Sequence, residues 1–251
     1  MHRRLTLLLL TAGLLRAATA AAANAEPMQY SVGVQDYENY LPYSEYKQGE
    51  YRGLSRDVLD AFAKAQGYRF VYQVLPLKRR DAMFVRGELD LSFPDNPNWV
   101  TVLKQGRHIS YAPVLEFTDG VLVRQADKGK PLARIKTLGI PLGFTPYPYQ
   151  QLVNSGAMRL EESARYDKLY EKLARGHVDA AYMNTRVAEH YWRDVAREAR
   201  APAVYDPDLP HASDFHYLAS FKHPELIAQF REFMKNNKAL IDELKRRYGF
   251  Q

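Results

Sequence analysis

The chain contains no cysteine in its 251 residues. Disulfides and thiolate chemistry are therefore excluded, and folding outside the cytoplasm carries no risk of wrong bridges. Long apolar runs are also missing beyond the N-terminal segment, so nothing there approaches the roughly 20 apolar residues of a membrane-spanning helix. No low-complexity tract or flexible linker interrupts the rest. Charge of one sign is in short supply as well: 35 Lys and Arg face 29 Asp and Glu, a formal net charge of +6. That excess is no nucleic-acid footprint by itself. The basic runs Lys78-Arg79-Arg80 and Lys245-Arg246-Arg247 read as solvated helix faces.

What is present begins at the N-terminus. Arg3 and Arg4 supply positive charge, Leu5 to Leu15 are nearly all apolar, and small residues follow. Ala23-Asn24-Ala25 is a small-x-small cleavage site before Glu26. An apolar run of about 11 residues is too short to span a bilayer stably. Residues 1–25 thus read as a removable export signal, with a retained anchor as the alternative. The twin arginines lack the residues that usually follow them in a twin-arginine signal. The remaining chain is long enough for two modest cores. It is rich in tyrosine, with 18 in all, a residue whose flat apolar face and hydroxyl suit both packing and ligand clefts.

Arg86-Gly87-Glu88-Leu89-Asp90 returns as Arg175-Gly176-His177-Val178-Asp179. Each copy ends a helix-like stretch and enters an apolar, strand-like one. Glycine just past a helix fits the left-handed closing position that other residues adopt only with strain. A helix–Gly–strand unit occurring twice suggests two similar lobes, and two lobes imply a cleft. Asp90 and Asp179 read as structural members of that unit.

The periodicity places a strand at Gln29–Gln35, a polar aromatic loop at Tyr37–Tyr51, and a helix capped by Ser55 that buries Val58, Leu59, Phe62 and Ala63. Strand Tyr68–Leu75, helix Leu77–Arg86 and strand Leu89–Phe93 follow. Extended segments are expected at Ile109–Pro113, Val121–Gln125, Ile135–Leu142, Val178–Met183 and Tyr217–Phe221. Helices are expected at Tyr166–Arg175 and Thr185–Ala199, then one long or broken helix over Pro224–Tyr248. Pro202–Pro210 reads as a connection. Strands alternating with helices are the pattern of an α/β fold.

The order of these features resembles the family 3 extracytoplasmic solute-binding proteins, the polar-amino-acid receptors of ABC importers. The residues that carry the resemblance are Gly33-Val34 at the end of a strand, Tyr40-Leu41-Pro42-Tyr43, Gly53 before the helix with Asp57, the first Gly-x-Leu-Asp, Ile109-Ser110-Tyr111-Ala112-Pro113, and the second Gly-x-Val-Asp-Ala. The resemblance implies a type II periplasmic-binding-protein fold: two α/β lobes, each a mixed sheet flanked by helices, with two crossing strands as hinge. It places lobe one at 27–117 plus 214–251 and lobe two at 118–213. It implies a periplasmic monomer that takes a small-molecule ligand, requires no cofactor, metal or nucleic acid, and serves a membrane permease or sensor domain.

Two departures from the family bear on the ligand. The region where these receptors carry a carboxylate-gripping arginine reads Trp99-Val100-Thr101-Val102-Leu103-Lys104, and lysine lacks the planar fork. The acid that pairs with a ligand ammonium is replaced by Asn184, a neutral amide. A standard α-amino acid is therefore not the expected ligand. The candidate ligand-binding residues are Tyr37, Tyr40 and Tyr43 as an aromatic wall, Asn96 and Trp99 in the loop after the third strand, Thr145 and Tyr147 in a proline-stiffened loop, and Asn184, which also suits a helix N-cap. Arg79 and Arg80 read as surface residues, although either one has the charge to meet an acidic ligand. His211, Asp214 and His216 are a weak metal-site pattern. Two other functions stay open: an interaction protein with a degenerate cleft, and a lyase on the same scaffold resembling cyclohexadienyl dehydratase, for which the cleft loops offer only Glu38, Glu45 and Asp95 as acids. N-terminal sequencing of the exported protein should begin at Glu26; an intact leader on the exported chain would contradict the signal assignment.

Overall fold

The computed structural model describes residues 26–197 and 201–250. The expected export signal lies outside them, as does the last part of the helix expected over Thr185–Ala199.

In the first lobe, β1 (Met28–Gln35) is central. It pairs in parallel with β4 (Tyr68–Leu75) from Met28↔Tyr68 to Gln35↔Leu75, and on its other side with β5 (Leu91–Asp95). Helix α1 (Leu54–Gln66) and helix α2 (Leu77–Val85) are the crossovers, and the short helices α3 (Thr101–Lys104) and α4 (Gln150–Asn154) come later in the chain. The expected face of α1 is buried, and Phe62 packs 4.9 Å from Phe230 and 5.5 Å from Phe233. Both partners lie on α7 (Pro224–Asn236), the first of two C-terminal helices. The second lobe repeats this order. Here β7 (Thr137–Pro141) is central, β8 (Arg159–Ser163) is its parallel neighbour on one side and β9 (Ala180–Asn184) on the other. Helix α5 (Tyr166–Ala174) buries Leu169, Tyr170 and Leu173 beneath it.

Two strands join the lobes. β6 (Ser110–Arg124) and β11 (Ala212–Ser220) run antiparallel from Ser110↔Ser220 to Asp119↔Ala212. One end of β6 pairs antiparallel with β9, and β11 also pairs with β5. The sheet order is therefore β4-β1-β5-β11-β6-β9-β7-β8, a mixed sheet that passes from lobe to lobe through its crossing strands.

The sequence repeat has the same physical role in both lobes. Gly87 and Gly176 take φ of 81° and 73° just past α2 and α5. The following residue closes each helix, with Glu88 N donating to Met83 O at 3.0 Å and His177 N to Lys172 O at 2.8 Å. The aspartate then ties the next strand to the lobe's central one. Asp90 Oδ2 accepts from Ser31 N and Ser31 Oγ at 2.9 and 2.8 Å, and Asp179 Oδ2 accepts from Lys136 N and Thr137 N at 2.8 Å each.

Several expectations are corrected. Ser55 does not cap α1. The cap is Gly53 at φ 117°, and Ser55, buried within the first turn, donates its N–H to Tyr43 O at 2.9 Å. The tyrosine loop thus does the capping, and only glycine lets it approach: a Cβ on Gly53 would sit 2.7 Å from Tyr43 O. The two extended segments expected at Ile109–Pro113 and Val121–Gln125 are one strand, β6. The Tyr37–Tyr51 loop holds a small hairpin, β2 (Glu45–Lys47) with β3 (Glu50–Arg52). β8 was not expected, because Arg-Leu-Glu-Glu-Ser is an edge strand with little apolar signal. The Pro202–Pro210 connection contains β10 (Ala203–Tyr205), paired with β6. Of the two forms expected for the C-terminal helix, the broken one is present, with Asn237 between α7 and α8 (Lys238–Arg247).

Asp90 is also held by Lys222 Nζ at 2.5 Å. Burial works against its charge, but the hydrogen bonds from Lys222, Ser31 and His223 outweigh it and keep the carboxyl well below the usual range. Its contribution is present above the ordinary carboxylate pKa and is lost as pH falls below it. Asp90→Ala should lower unfolding free energy by about 2–3 kcal/mol and Asp179→Ala by about 1–2 kcal/mol at pH 7, measured by urea unfolding. No loss in either variant would contradict the shared role.

Candidate functional site

The carboxyl ends of the parallel strands in both lobes turn toward the crossing strands, where open α/β sheets bind ligands. Gln35 ends β1, Asp95 ends β5, Ser163 ends β8 and Asn184 ends β9. All four are buried, and each has a polar atom without a partner: Gln35 Nε2, Asp95 Oδ2, Ser163 Oγ and Asn184 Nδ2. The crossing strands add Asp119 Oδ1 and His216 Nδ1. Buried polar atoms are normally paired, so such a concentration at one level of the fold marks a functional region.

Tyrosines fill the space between the lobes. Tyr37, Tyr40 and Tyr43 form a chain of rings at 5.7 Å spacing, and Tyr166, the first residue of α5, meets Tyr37 at 5.5 Å and Tyr40 at 6.1 Å. Tyr37 OH donates to Leu142 O at 3.1 Å, from one lobe to the other. Lys78 Nζ and Glu162 form a second bridge at 3.0 Å. The lobes are thus closed on each other. Gln35, Tyr40, Arg80, Trp99 and Thr145 enclose a pocket of only about 20 Å³ between them. A wider cavity of about 340 Å³ opens beside it, lined by Tyr37, Lys78, Leu142, Arg165 and Tyr166. A third, about 430 Å³, lies at the hinge against Tyr43, Glu116, Arg186 and Asp214.

The expected site residues divide between these places. Tyr37 and Tyr40 face the inter-lobe space, whereas Tyr43 turns to the hinge and its OH donates to Glu116 O at 2.8 Å. Half-buried Trp99 packs 5.6 Å from Phe117 and 6.0 Å from His216. Thr145 lines the small pocket, and the half-buried Tyr147 has its phenol pushed up by burial and by the charges of Asp214 and Asp119. Asn96 is committed to the scaffold: Nδ2 donates to Asp214 Oδ2 at 2.9 Å and Phe215 O at 3.1 Å, and Oδ1 accepts from Asn98 N. Asn184 Oδ1 accepts from Val187 N at 3.0 Å as the N-cap of α6 (Thr185–His190), leaving its amide nitrogen for the interior. His211, Asp214 and His216 do not converge. Their partners are Leu209 O for His211, Asn96, Phe215 and Tyr217 for Asp214, and Tyr40 for His216.

Arg80 overturns the surface expectation, while Arg79 remains exposed. Arg80 is 2% exposed. Gly33 on β1 lets α2 and the segment after it pack close: a Cβ there would lie 2.5 Å from Leu89 Cδ1 and 3.0 Å from Arg80 Cγ. Its Nε and Nη2 donate to Asp81 Oδ1 at 3.0 and 2.6 Å, and Nη1 donates to Pro94 O at 2.7 Å. Lys104 is likewise buried, bound to Asp95 Oδ1 and, at 2.8 Å, to Asn96 O. Sequence reasoning missed Asp119 altogether. Its signal is an acid set just before the apolar run Val121-Leu122-Val123 within one strand. It pairs directly with Asn184 in the β6–β9 ladder. Burial pushes its carboxyl up to about 8, and the Asn184 amide offsets this only in part. Burial, helped by Arg80, pushes His216 down to about 3. The His216 ring stacks on Phe117 at 4.8 Å.

No family model and no curated protein matches the chain. Solved structures do. An ancestral arginine-binding protein bound to arginine superposes with a TM-score of 0.69 at 18% identity, covering 90% of this chain and 100% of that one. The arginine-, lysine-, histidine-binding protein ArtJ of Geobacillus stearothermophilus gives 0.69 at 21%, covering 88% and 95%. The chain has the two-lobe, type II periplasmic binding-protein fold. An ancestral amino-acid-binding protein described as a precursor of cyclohexadienyl dehydratase shares that fold, with a TM-score of 0.64 at 21% identity over 88% of this chain and 95% of that one. The fold implied by the order of the sequence motifs is therefore the one observed.

His216 and Asp119 set opposite pH trends. His216, neutral when buried, stabilises the fold fully above its unfolded value of about 6.5, and this is lost as pH falls toward 3. Asp119, protonated when buried, stabilises fully below its unfolded value of about 4, and this is lost as pH rises toward 8. Unfolding free energies of wild type and His216→Phe, measured from pH 7 to pH 4, should therefore diverge. The wild type should lose up to about 1.4 kcal/mol per pH unit relative to the variant. Parallel curves would contradict a neutral buried imidazole.

Proposed function

We propose that this chain is an exported solute receptor that closes its two lobes on a small polar ligand and presents the closed form to a membrane importer or sensor domain. The lobes comprise 27–117 plus 214–251 and 118–213. The observation that carries this reading is the convergence of unpartnered buried polar groups from both lobes at the carboxyl ends of their strands. Tyr37, Tyr40, Trp99, Thr145 and Tyr147 are the proposed contacting wall. Tyr43, Asn96 and Asn184 border that wall and fix the hinge beside it. Neighbours of the same fold that bind arginine, or arginine, lysine and histidine, support a ligand of amino-acid size. A standard α-amino acid fits poorly. Among the described residues, the buried Arg80 and Lys104 each already have a carboxylate partner, Arg80 in Asp81 and Lys104 in Asp95, so neither stands free in the inter-lobe space to grip a ligand carboxylate.

In this reading the cleft binds and does not convert. Native mass spectrometry of gently purified protein should find a small molecule bound one to one, and adding it back to stripped protein should raise Tm without forming product. Conversion of the molecule would favour a lyase. No bound molecule, no thermal shift and a captured protein partner would favour a degenerate cleft.

A further inference from the structure

The acid that the β9 position lacks stands directly across the ladder. Asp119 on β6 is the register partner of Asn184 on β9, so the two side chains leave the same face of the sheet side by side. Asp119 is 2% exposed, and its Oδ1 has no partner. The other buried carboxylates nearby are neutralised one for one, Asp81 by Arg80 and Asp95 by Lys104. Among the described residues, the group that favours the Asp119 charge is the Asn184 amide. Six phenols lie within reach of its charge: Tyr37, Tyr40 and Tyr43 from the loop after β1, Tyr147 from the loop after β7, Tyr166 from α5 and Tyr182 from β9. Of these, the Tyr166 and Tyr182 hydroxyls also lack partners.

We infer that Asp119 is the anchor for a cationic ligand, an amine or guanidinium compound without a carboxylate of its own, held against the tyrosine faces. A single acid without a cationic partner, set among aromatic rings, ionises as a cation enters and then holds it by charge and by the ring quadrupoles together. The same enclosure disfavours a zwitterion, because Arg80 is bound to Asp81 and its charge is already matched. This inference rests on the receptor reading and specifies its ligand class. Binding draws Asp119 into its charged form. A proton therefore leaves when a cation enters near neutral pH, and affinity rises with pH.

The test uses the full exported protein and its Asp119→Asn variant, which keeps the side-chain shape. The cationic probes are n-butylguanidine, n-butylamine and choline, with n-butylurea and n-butanol as neutral counterparts and L-norleucine as zwitterion. At least one cationic probe should raise the wild-type Tm and bind the variant roughly 30-fold or more weakly, and the neutral probes and the zwitterion should not discriminate. Calorimetry in two buffers of different ionisation enthalpy at pH 7 should show proton release for the wild type and none for the variant. A cation bound equally well by Asp119→Asn would overturn the assignment. So would a co-purified ligand that is neutral or anionic, and that outcome would leave the receptor reading intact. Failure of every probe together with no co-purified molecule would remove the receptor reading itself and this inference with it.

Discussion

The antiparallel ladder between β6 and β11 is the constraint on which the rest depends. Without it the protein would be two small parallel sheets, each with an exposed edge beside β5 or β9. With it, the edges are covered and the carboxyl ends of six parallel strands face one another across a gap. The chain crosses between lobes on these strands, and the ladder fixes which side chains stand at the crossing: Asp119 at one level, Asp214 and His216 beyond it. Their placement is a consequence of register, since a slip by one residue would send each to the other face.

Closure is maintained by a layer that is apolar in area but polar in detail. The tyrosine rings supply the contact area and edge-to-face geometry, while the Tyr37 hydroxyl reaches Leu142 O in the other lobe. Such a layer separates at modest cost, because the hydroxyls find water when the lobes part. A core of leucine and phenylalanine in the same place would resist opening. The paired charges Arg80–Asp81 and Lys104–Asp95 lie within lobe one, so they shape one wall of the gap without bridging it.

Much of this was legible in the sequence. The Gly–x–x–Asp unit, found twice, marked both lobes, because its glycine conformation and aspartate hydrogen bonds are local and carry their own signature. The amphipathic face of α1 was equally plain. What escaped were long-range effects. Arg80 looked solvated because it belongs to a basic run, and only the fold brings Pro94 O to its guanidinium and packs it beside Gly33 on β1. Ser55 looked like a cap because nothing in the sequence shows the Tyr43 carbonyl arriving above Gly53. Asn184 looked like a lost acid, and only strand pairing shows that Asp119 is its neighbour. β8 carries too few apolar residues to announce itself, being an edge strand.

A receptor that captures its ligand by closure must move one lobe against the other. The absence of native cysteine makes that motion accessible: labels on Lys64→Cys in α1 and Lys168→Cys in α5, both exposed, attach nowhere else. Pulsed electron resonance should give a broad distance distribution for protein stripped of small molecules by unfolding and refolding. On addition of the extract from the native protein, it should contract to a narrow, shorter one. A single distribution unchanged by stripping and re-addition would contradict a closing cleft.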